Sequence, residues 1–311
     1  MLEIQKAVGF ATVQDRGWPT GRAIGLPQSG AMDLPALERA NALVGNSPNQ
    51  AGIELAVGSL TIRFQDARRF AITGARTSAL LDGVPINLDT TQGTLPGQTL
   101  VIGPTGFGRF GYLAVGGGIA VPITLGARAT YLPTGIGGHH GRLLRTGDRL
   151  PVADPKTAPP IGTVSPAPQG SGPIRIVAGP QADLFPTAAW ETLLGNSFRI
   201  SPTSDRMGVR LTGAAVLCSV AATLPSEGTA IGAIQVPDDG QPIVIGNDGP
   251  TVGGYPKIAA VITADRFRLI QVPPGEGIRF GVVSLSEAHR LRTEAIGWHR
   301  EVLATVERAA R

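Results

Sequence analysis

The sequence predicts a mainly β protein organised as two domains, and three observations carry that prediction. Gly 43 and Pro 26 exceed a fifth of the 311 residues, and both residue types interrupt helix interiors while supplying turn chemistry. Short β-branched runs recur at about ten-residue spacing, each closed by Pro, Gly or Asp, the pattern of a barrel or sandwich. A segment without periodicity, PVADPKTAPPIGTVSPAPQGSGP between Pro151 and Pro173, reads as an extended proline-rich linker near the middle.

Taken in order, the first half contributes the strand-like runs SLTIRF, RRFAITG, GQTLVIG and GRFGYLAV. The second contributes PIRIVAG, SFRISP, AIQVP, QPIVIG, IAAVITA, FRLIQV and GIRFGVV. Helical pattern is confined to Leu34–Leu43 after an Asp33 N-cap, to Ala182–Leu194, and to a C-terminal helix over Ser286–Ala310 whose Leu291, Ile296, Val302, Leu303 and Val306 suit docking on a surface. The domain boundaries that follow are 1–155, a linker at 156–172, and 173–311 with the terminal helix.

Bulk properties exclude several classes. The chain is 42% hydrophobic and 16% charged, which supports real cores and argues against a disordered chain. All but three of its 27 basic residues are arginines scattered along the chain, so the formal charge of +4 forms no nucleic-acid footprint. No apolar run reaches the roughly 18 residues needed to span a bilayer, and no signal sequence opens the chain, so a cytoplasmic location with no membrane association is expected. Cys218 is the single cysteine and reads as a small hydrophobe in an apolar stretch.

The familiar catalytic signatures are absent. There is no P-loop, and none of Lys6, Lys156 and Lys257 follows a methionine, so no covalent biotin is expected on this chain. His139 and His140 in GGHHGR lack clustered carboxylates and read as loop residues, so no metal is expected. Gly116, Gly117 and Gly118 read as a close strand contact rather than a phosphate loop.

Two polar clusters remain. The first, from Thr12 to Asp33, combines Gln14, Asp15, Arg16, Ser29 and Asp33 with glycines that let backbone amides approach a ligand. The second, from Ser204 to Lys257, holds Asp205, Arg206, Glu227, Gln235, Asp248, Thr251, Gly253, Gly254, Tyr255 and Lys257, polar groups at predicted strand ends where a β-barrel builds a pocket. Arg206 and Lys257 suit a carboxylate or a developing oxyanion, while Asp205, Glu227 or Asp248 suit proton acceptance, with Gln235, Thr251, Gly253, Gly254 and Tyr255 lining the substrate. The competing reading makes Asp205 and Arg206 a structural ion pair and GGYP a tight turn.

Long stretches of the chain resemble the allophanate-hydrolase-subunit-2 family, which includes the C component of 5-oxoprolinase, the KipA-type antagonist of a sporulation-kinase inhibitor, and part of the urea carboxylase carboxyltransferase region. The resemblance rests on TVQD, SGAMD, ANALVGN, YLAVGGGI, DRMGVRL, SEGTAIGAIQVP, DGQPIV and GGYPKIA in the family's order. It implies two tandem cyclophilin-like β-barrel domains and a heteromeric partnership with a KipI-like chain, that is, allophanate hydrolase subunit 1 or the B component of 5-oxoprolinase. It also implies biotin and ATP on other subunits, either the A component of 5-oxoprolinase or a biotin carboxylase and carrier, serving carboxyl transfer to a small amide or opening of a lactam. The other readings are a non-catalytic KipA-type regulator and, on fold analogy alone, a prolyl isomerase. Three family arginines are replaced here, by Trp18, Gly116 and Gly249.

Overall fold

A computed structural model of the chain describes residues 1–154, 162–164, 170–219 and 224–309, the side chains of Glu307 and Ala309 excepted. The protein is mainly β, with a nearly closed barrel-like sheet and a C-terminal helix. It divides into two compact units: Met1–Pro19, Ser29–Pro168 and Trp298–Arg311 form the first, and Thr20–Gln28 with Gln169–Gly297 form the second.

The first unit is built on β1 (Leu2–Gln14), α1 (Leu34–Leu43), β2 (Gly52–Phe64), β3 (Arg68–Leu81), β4 (Val84–Pro85), β5 (Gln92–Thr94), β6 (Thr99–Val115), β7 (Thr130–Tyr131), β8 (Ile136–Gly137) and β9 (Arg149–Leu150). The main sheet runs β4-β3-β6-β2-β1-β9, with β5 also on β3. Where the sequence predicts short strands, GQTLVIG and GRFGYLAV are the two ends of one 17-residue strand, β6. Strands this long can bend around a single core because bulges interrupt the β1–β2, β2–β6 and β3–β6 registers.

Alternation along β6 gives the sheet two buried faces. Leu113 and Val115 join Ile4, Val13, Ile53, Phe64, Phe70 and Ile72 in the main core, while Ala114 points to a second cluster with Ala40, Leu43 and Val44 of α1. Asp33 caps α1 as expected, its Oδ1 accepting the Ala36 N–H at 3.1 Å.

That second cluster also contains Val164 and Val306. Val164 lies inside the segment read as a linker, yet it is buried, and its N–H bonds to Asp89 O at 2.9 Å. The rest of the expected proline-rich linker falls largely on 155–161 and 165–169, outside the described residues. The terminal helix, placed wholly in the second domain by sequence, is divided between the units at Gly297/Trp298. Apolar packing of Val306 and Val302 with α1 assigns its last turns to the first unit.

In the second unit, β10 (Ile174–Ala178), α2 (Thr187–Gly195), β11 (Phe198–Ile200), β12 (Gly208–Thr212), β13 (Glu227–Gly228), β14 (Ala233–Gln235), β15 (Ile243–Ile245), β16 (Val252–Gly253), β17 (Lys257–Val261), α3 (Thr263–Ile270), β18 (Gly277–Ile278), β19 (Phe280–Val282) and the start of α4 (Leu285–Ala309) follow in order. Eight of the strands form a sheet ordered β18-β11-β12-β15-β14-β17-β10-β19, and β13 pairs with β16 as a separate ribbon. Two expectations are corrected here. FRLIQV, predicted as a strand, lies mostly in α3, because helical i, i+4 spacing turns Asp265 and Leu269 inward together, where Asp265 meets Arg175, Nη2–Oδ1 at 2.5 Å. The helix read over 182–194 is a short 3-10 turn and then α2, interrupted at Pro186, which has no N–H to give.

The bulge in β1 and β2 makes a local test of this architecture. Gly9 and Gly58 face each other at φ +82° and +134°, and a Cβ on Gly9 would lie 1.7 Å from Val57 O. Gly9→Ala is therefore expected to destabilise the first unit by about 2 kcal/mol or more, read as a shifted chemical-denaturation midpoint with an unchanged slope.

Candidate functional site

The second cluster converges on β13, β14, β16 and the start of β17. Gln235 and Lys257 are register partners on β14 and β17, and Glu227 is the register partner of Gly253 in the β13–β16 ribbon. Lys257 is 3% exposed, yet its Nζ reaches Glu227 Oε1 at 2.8 Å and Tyr255 O at 3.1 Å, while the Glu227 side chain is 45% exposed. The hydrogen bond from Lys257, with a second from Gln181, holds the Glu227 carboxyl below its ordinary range.

Gln181 ties this pair together. Its Nε2 donates to the same Glu227 Oε1 at 2.7 Å, and its Oε1 accepts the Lys257 backbone N–H at 3.1 Å. Gln235 is buried at 4% exposure, and its Nε2 has no hydrogen-bond partner among the described residues. A Cβ on Gly253 would stand 2.8 Å from that nitrogen, so glycine keeps the space in front of the orphan donor open.

The ribbon itself is clamped from below. Thr229 N–H bonds to Thr251 O at 3.0 Å, Thr229 Oγ1 donates to Pro250 O, and Arg22 Nη2 donates to Thr229 O at 2.6 Å and to Pro250 O at 3.1 Å. Burial lowers the affinity of Arg22 for its proton. Nothing in the sequence singles out Arg22 or Gln181; the one sits between TVQD and SGAMD, the other directly after Gly179-Pro180, and no residue pattern links them to Glu227.

The remaining residues of this cluster pair among themselves, close their own turn or serve the ribbon through their backbones. Arg206 makes a two-pronged ion pair with Asp248, Nε–Oδ2 at 2.8 Å and Nη2–Oδ1 at 2.9 Å, and the Asp248 side chain is only 2% exposed. Asp205 does not pair with Arg206 through its Oδ1, which accepts the Met207 and Gly208 N–H groups at 2.8 and 3.1 Å and closes its own turn. Thr251 contributes its backbone carbonyl to the ribbon, Gly254 O accepts the Leu224 N–H at 2.7 Å, and the Tyr255 side chain is exposed while its carbonyl serves Lys257.

The first unit's cluster is a scaffold of turns. Asp15 Oδ1 accepts Gly17 N–H and Oδ2 accepts Arg128 N–H, at 2.8 and 2.6 Å, with burial raising its carboxyl above the ordinary range. Gln14 Nε2 donates to Thr130 O at 3.0 Å, Ser29 Oγ to the same carbonyl at 3.2 Å, and Asp33 caps α1. Arg16 instead joins Glu38, Nη2–Oε1 at 2.5 Å, whose other oxygen meets His299 Nε2 at 2.6 Å. His139 Nε2 lies 3.5 Å from Asp148 Oδ1, and a Cβ on Gly117 would stand 1.8 Å from Ala153 O, a close backbone approach.

At two of the positions where the resemblance implies an arginine, the structure shows what the residue present does. Trp18 is buried, and its indole N–H donates to Thr124 O at 2.9 Å. At Gly249 a Cβ would meet Ile245 Cγ2 at 2.5 Å, so the backbone as it runs here leaves no room for a side chain.

Comparison with known proteins places these observations. Residues 24–282 match the family described as carboxyltransferase domain, subdomain A and B. The chain is 40% identical over 297 residues to the 5-oxoprolinase C subunit of Escherichia coli K12, covering 94% of this chain and 95% of that one. It is 36% identical over 292 residues to the 5-oxoprolinase C subunit of Haemophilus influenzae, covering 94% of each. The crystal structure of Kluyveromyces lactis urea amidolyase superposes with a TM-score of 0.86 at 27% identity, over 97% of this chain and 20% of that one, so the chain corresponds to a fifth of that larger protein.

Two measurements test the assignments of buried charge. Burial pushes Glu38 up, but hydrogen bonds from His299 and Arg16 outweigh it and hold the carboxyl below its ordinary 4.5. A carboxyl depressed in the folded state contributes stability above the unfolded value and loses it as pH falls through the folded one. Glu38→Gln is expected to flatten the fall of thermal stability below about pH 4.5, seen in calorimetric scans across that range. Arg206→Ala, which strands the Asp248 carboxylate, is expected to cost on the order of 3 kcal/mol of unfolding free energy; a cost within about 0.5 kcal/mol would free Arg206 for a role in binding.

Proposed function

Because the chain belongs to the carboxyltransferase family of subdomains A and B, we propose that it is the C-type subunit of a heteromeric 5-oxoprolinase, and that Lys257, Gln235, Gln181 and Glu227 form its part of the substrate site. The observation that carries the site is the buried amide N–H of Gln235, unpartnered among the described residues, on the strand position opposite the buried Lys257. The identity to two 5-oxoprolinase C subunits, which extends over nearly their full lengths, supports the choice of reaction. The names of these relatives denote subunits, so further chains complete the enzyme, and the partners we propose are a KipI-like, B-type chain together with an A-type one.

The substrate of such an enzyme is a lactam with a carboxylate, and its opening adds water across the ring amide. A neutral carbonyl oxygen needs a donor that is not already engaged, which Gln235 Nε2 provides. Charge that develops on that oxygen is stabilised by a nearby fixed cation, and Lys257 supplies one in a setting drier than the surface. Gln181 fixes the Lys257 main chain and the Glu227 carboxylate at once. Glu227, half in solvent, is the group in this cluster that is free to exchange protons with water.

Biotin and ATP belong in this proposal to partner chains. Ring opening of 5-oxoproline transfers no carboxyl group and draws on ATP and water alone; in a carboxyl-transfer reaction, biotin carried by a partner chain would supply the carboxyl group, and its ureido carbonyl, like the lactam carbonyl, would accept from Gln235. The residues of this chain would then orient the acceptor. Among the described residues no helix is long and apolar enough to cross a membrane, and we place the complex in the cytoplasm. The named relatives are enzymes or their subunits, which favours this reading over a purely regulatory one.

In the assembled complex, Lys257→Met and Gln235→Leu are each expected to lower kcat/KM for ATP-dependent 5-oxoproline hydrolysis by about 10²-fold or more, with complex assembly retained on size-exclusion chromatography. Full activity in Lys257→Met would move the site away from β13–β17.

A further inference from the structure

The Lys257–Glu227 pair is lopsided in a way the Arg206–Asp248 pair is not. In the latter both members are well shielded, with Arg206 at 12% and Asp248 at 2% side-chain exposure. Lys257 is 3% exposed and is braced by Tyr255 O, whereas Glu227 is 45% exposed and stands on a two-residue strand. One carboxylate oxygen of Glu227 collects both Lys257 Nζ and Gln181 Nε2. Two donors therefore converge on a carboxylate that can turn into water, while the donors themselves belong to a buried lysine and to a glutamine held through the Lys257 backbone N–H.

We propose that Glu227 is an internal stand-in for the substrate's carboxylate: a small molecule carrying a carboxylate next to a cyclic amide displaces Glu227 from Lys257 and Gln181 and gives its amide oxygen to Gln235. This rests on the site assigned above and adds how that site is kept closed and what it selects.

The exchange is close to neutral in interactions. Lys257 keeps an anionic partner throughout, which a buried ammonium requires, and Glu227 returns to a solvent in which it already half stands. What the ligand adds is satisfaction of the orphan Gln235 N–H, which Glu227 leaves unmade. A neutral amide lacking a carboxylate cannot offer Lys257 a replacement for Glu227, so selectivity for the acid over its amide follows from the charge left behind. Because Glu227 competes for the same donors, the apparent affinity of the unmodified chain is lowered by the fraction of time its own carboxylate holds them.

Equilibrium dialysis of the full chain against labelled 5-oxoproline, and separately against the uncharged 5-oxoprolinamide, tests this. Glu227→Gln, which keeps the side-chain shape and removes the competing charge, is expected to bind 5-oxoproline about 10-fold tighter than the unmodified chain. Its affinity for the amide should not change, and the double variant with Lys257→Met should lose the gain. Glu227→Ala is the second variant and should show the same direction. The proposal is overturned if neither variant binds the acid more tightly, absence of binding included, or if acid and amide gain alike. These outcomes separate from the proposed function: loss of activity in Lys257→Met with no gain in Glu227→Gln removes the stand-in and leaves the site, whereas full activity in Lys257→Met removes the site.

Discussion

A lysine ammonium that is 3% exposed must have an anion and acceptors around it, and the second unit is arranged to give Lys257 both. Its position at the first residue of β17 puts it opposite Gln235 of β14. The carboxylate arrives from the β13–β16 ribbon, outside the main sheet, and the ribbon is fixed in turn by Thr229 and Arg22. Gln181, following β10, closes the circle by binding both the lysine backbone and the glutamate. Disturbing any one of these segments changes what faces the ammonium.

This dependence explains the concentration of glycines in the motifs. At Gly253 a Cβ would crowd Gln235 Nε2, at 2.8 Å, and at Gly249 the Met207 and Gly246 carbonyls and Ile245 leave no room for one. Such positions give a loop no chemistry of their own, but they set how near neighbouring donors come. The first unit shows the same economy in a structural role: Gly9 and Gly58 allow two backbones to touch, and the long strands turn there.

Charge pairs in the protein divide by exposure into different duties. Arg206–Asp248 and Arg175–Asp265 each have a carboxylate almost wholly buried and geometry with two hydrogen bonds, and they join segments far apart in sequence. Glu38 takes Arg16 on one oxygen and His299 on the other, joining the loop after β1, α1 and the end of α4 within the first unit. Glu227 alone among these carboxylates is nearly half in solvent, the exposure on which its proposed displacement rests.

The mainly β class, the N-cap at Asp33, the terminal helix and the polar cluster containing Glu227, Gln235, Gly253 and Lys257 could be read from the residues, because turn chemistry, periodicity and capping are local properties of the chain. Strand length could not, since a bulge within β6 looks in sequence like the turn between two strands. The helical state of FRLIQV was hidden for a similar reason: apolar spacing in a segment this short fits a strand or a helix, and the inward packing of Asp265 and Leu269 on one helix face decides. Within the cluster, sequence could supply residue types but no pairing. That Arg206 belongs to Asp248, that Asp205 closes a turn, and that Gln181 and Arg22 serve the Glu227 ribbon are consequences of strands brought together from distant parts of the chain, where contact follows from register and no local pattern records it.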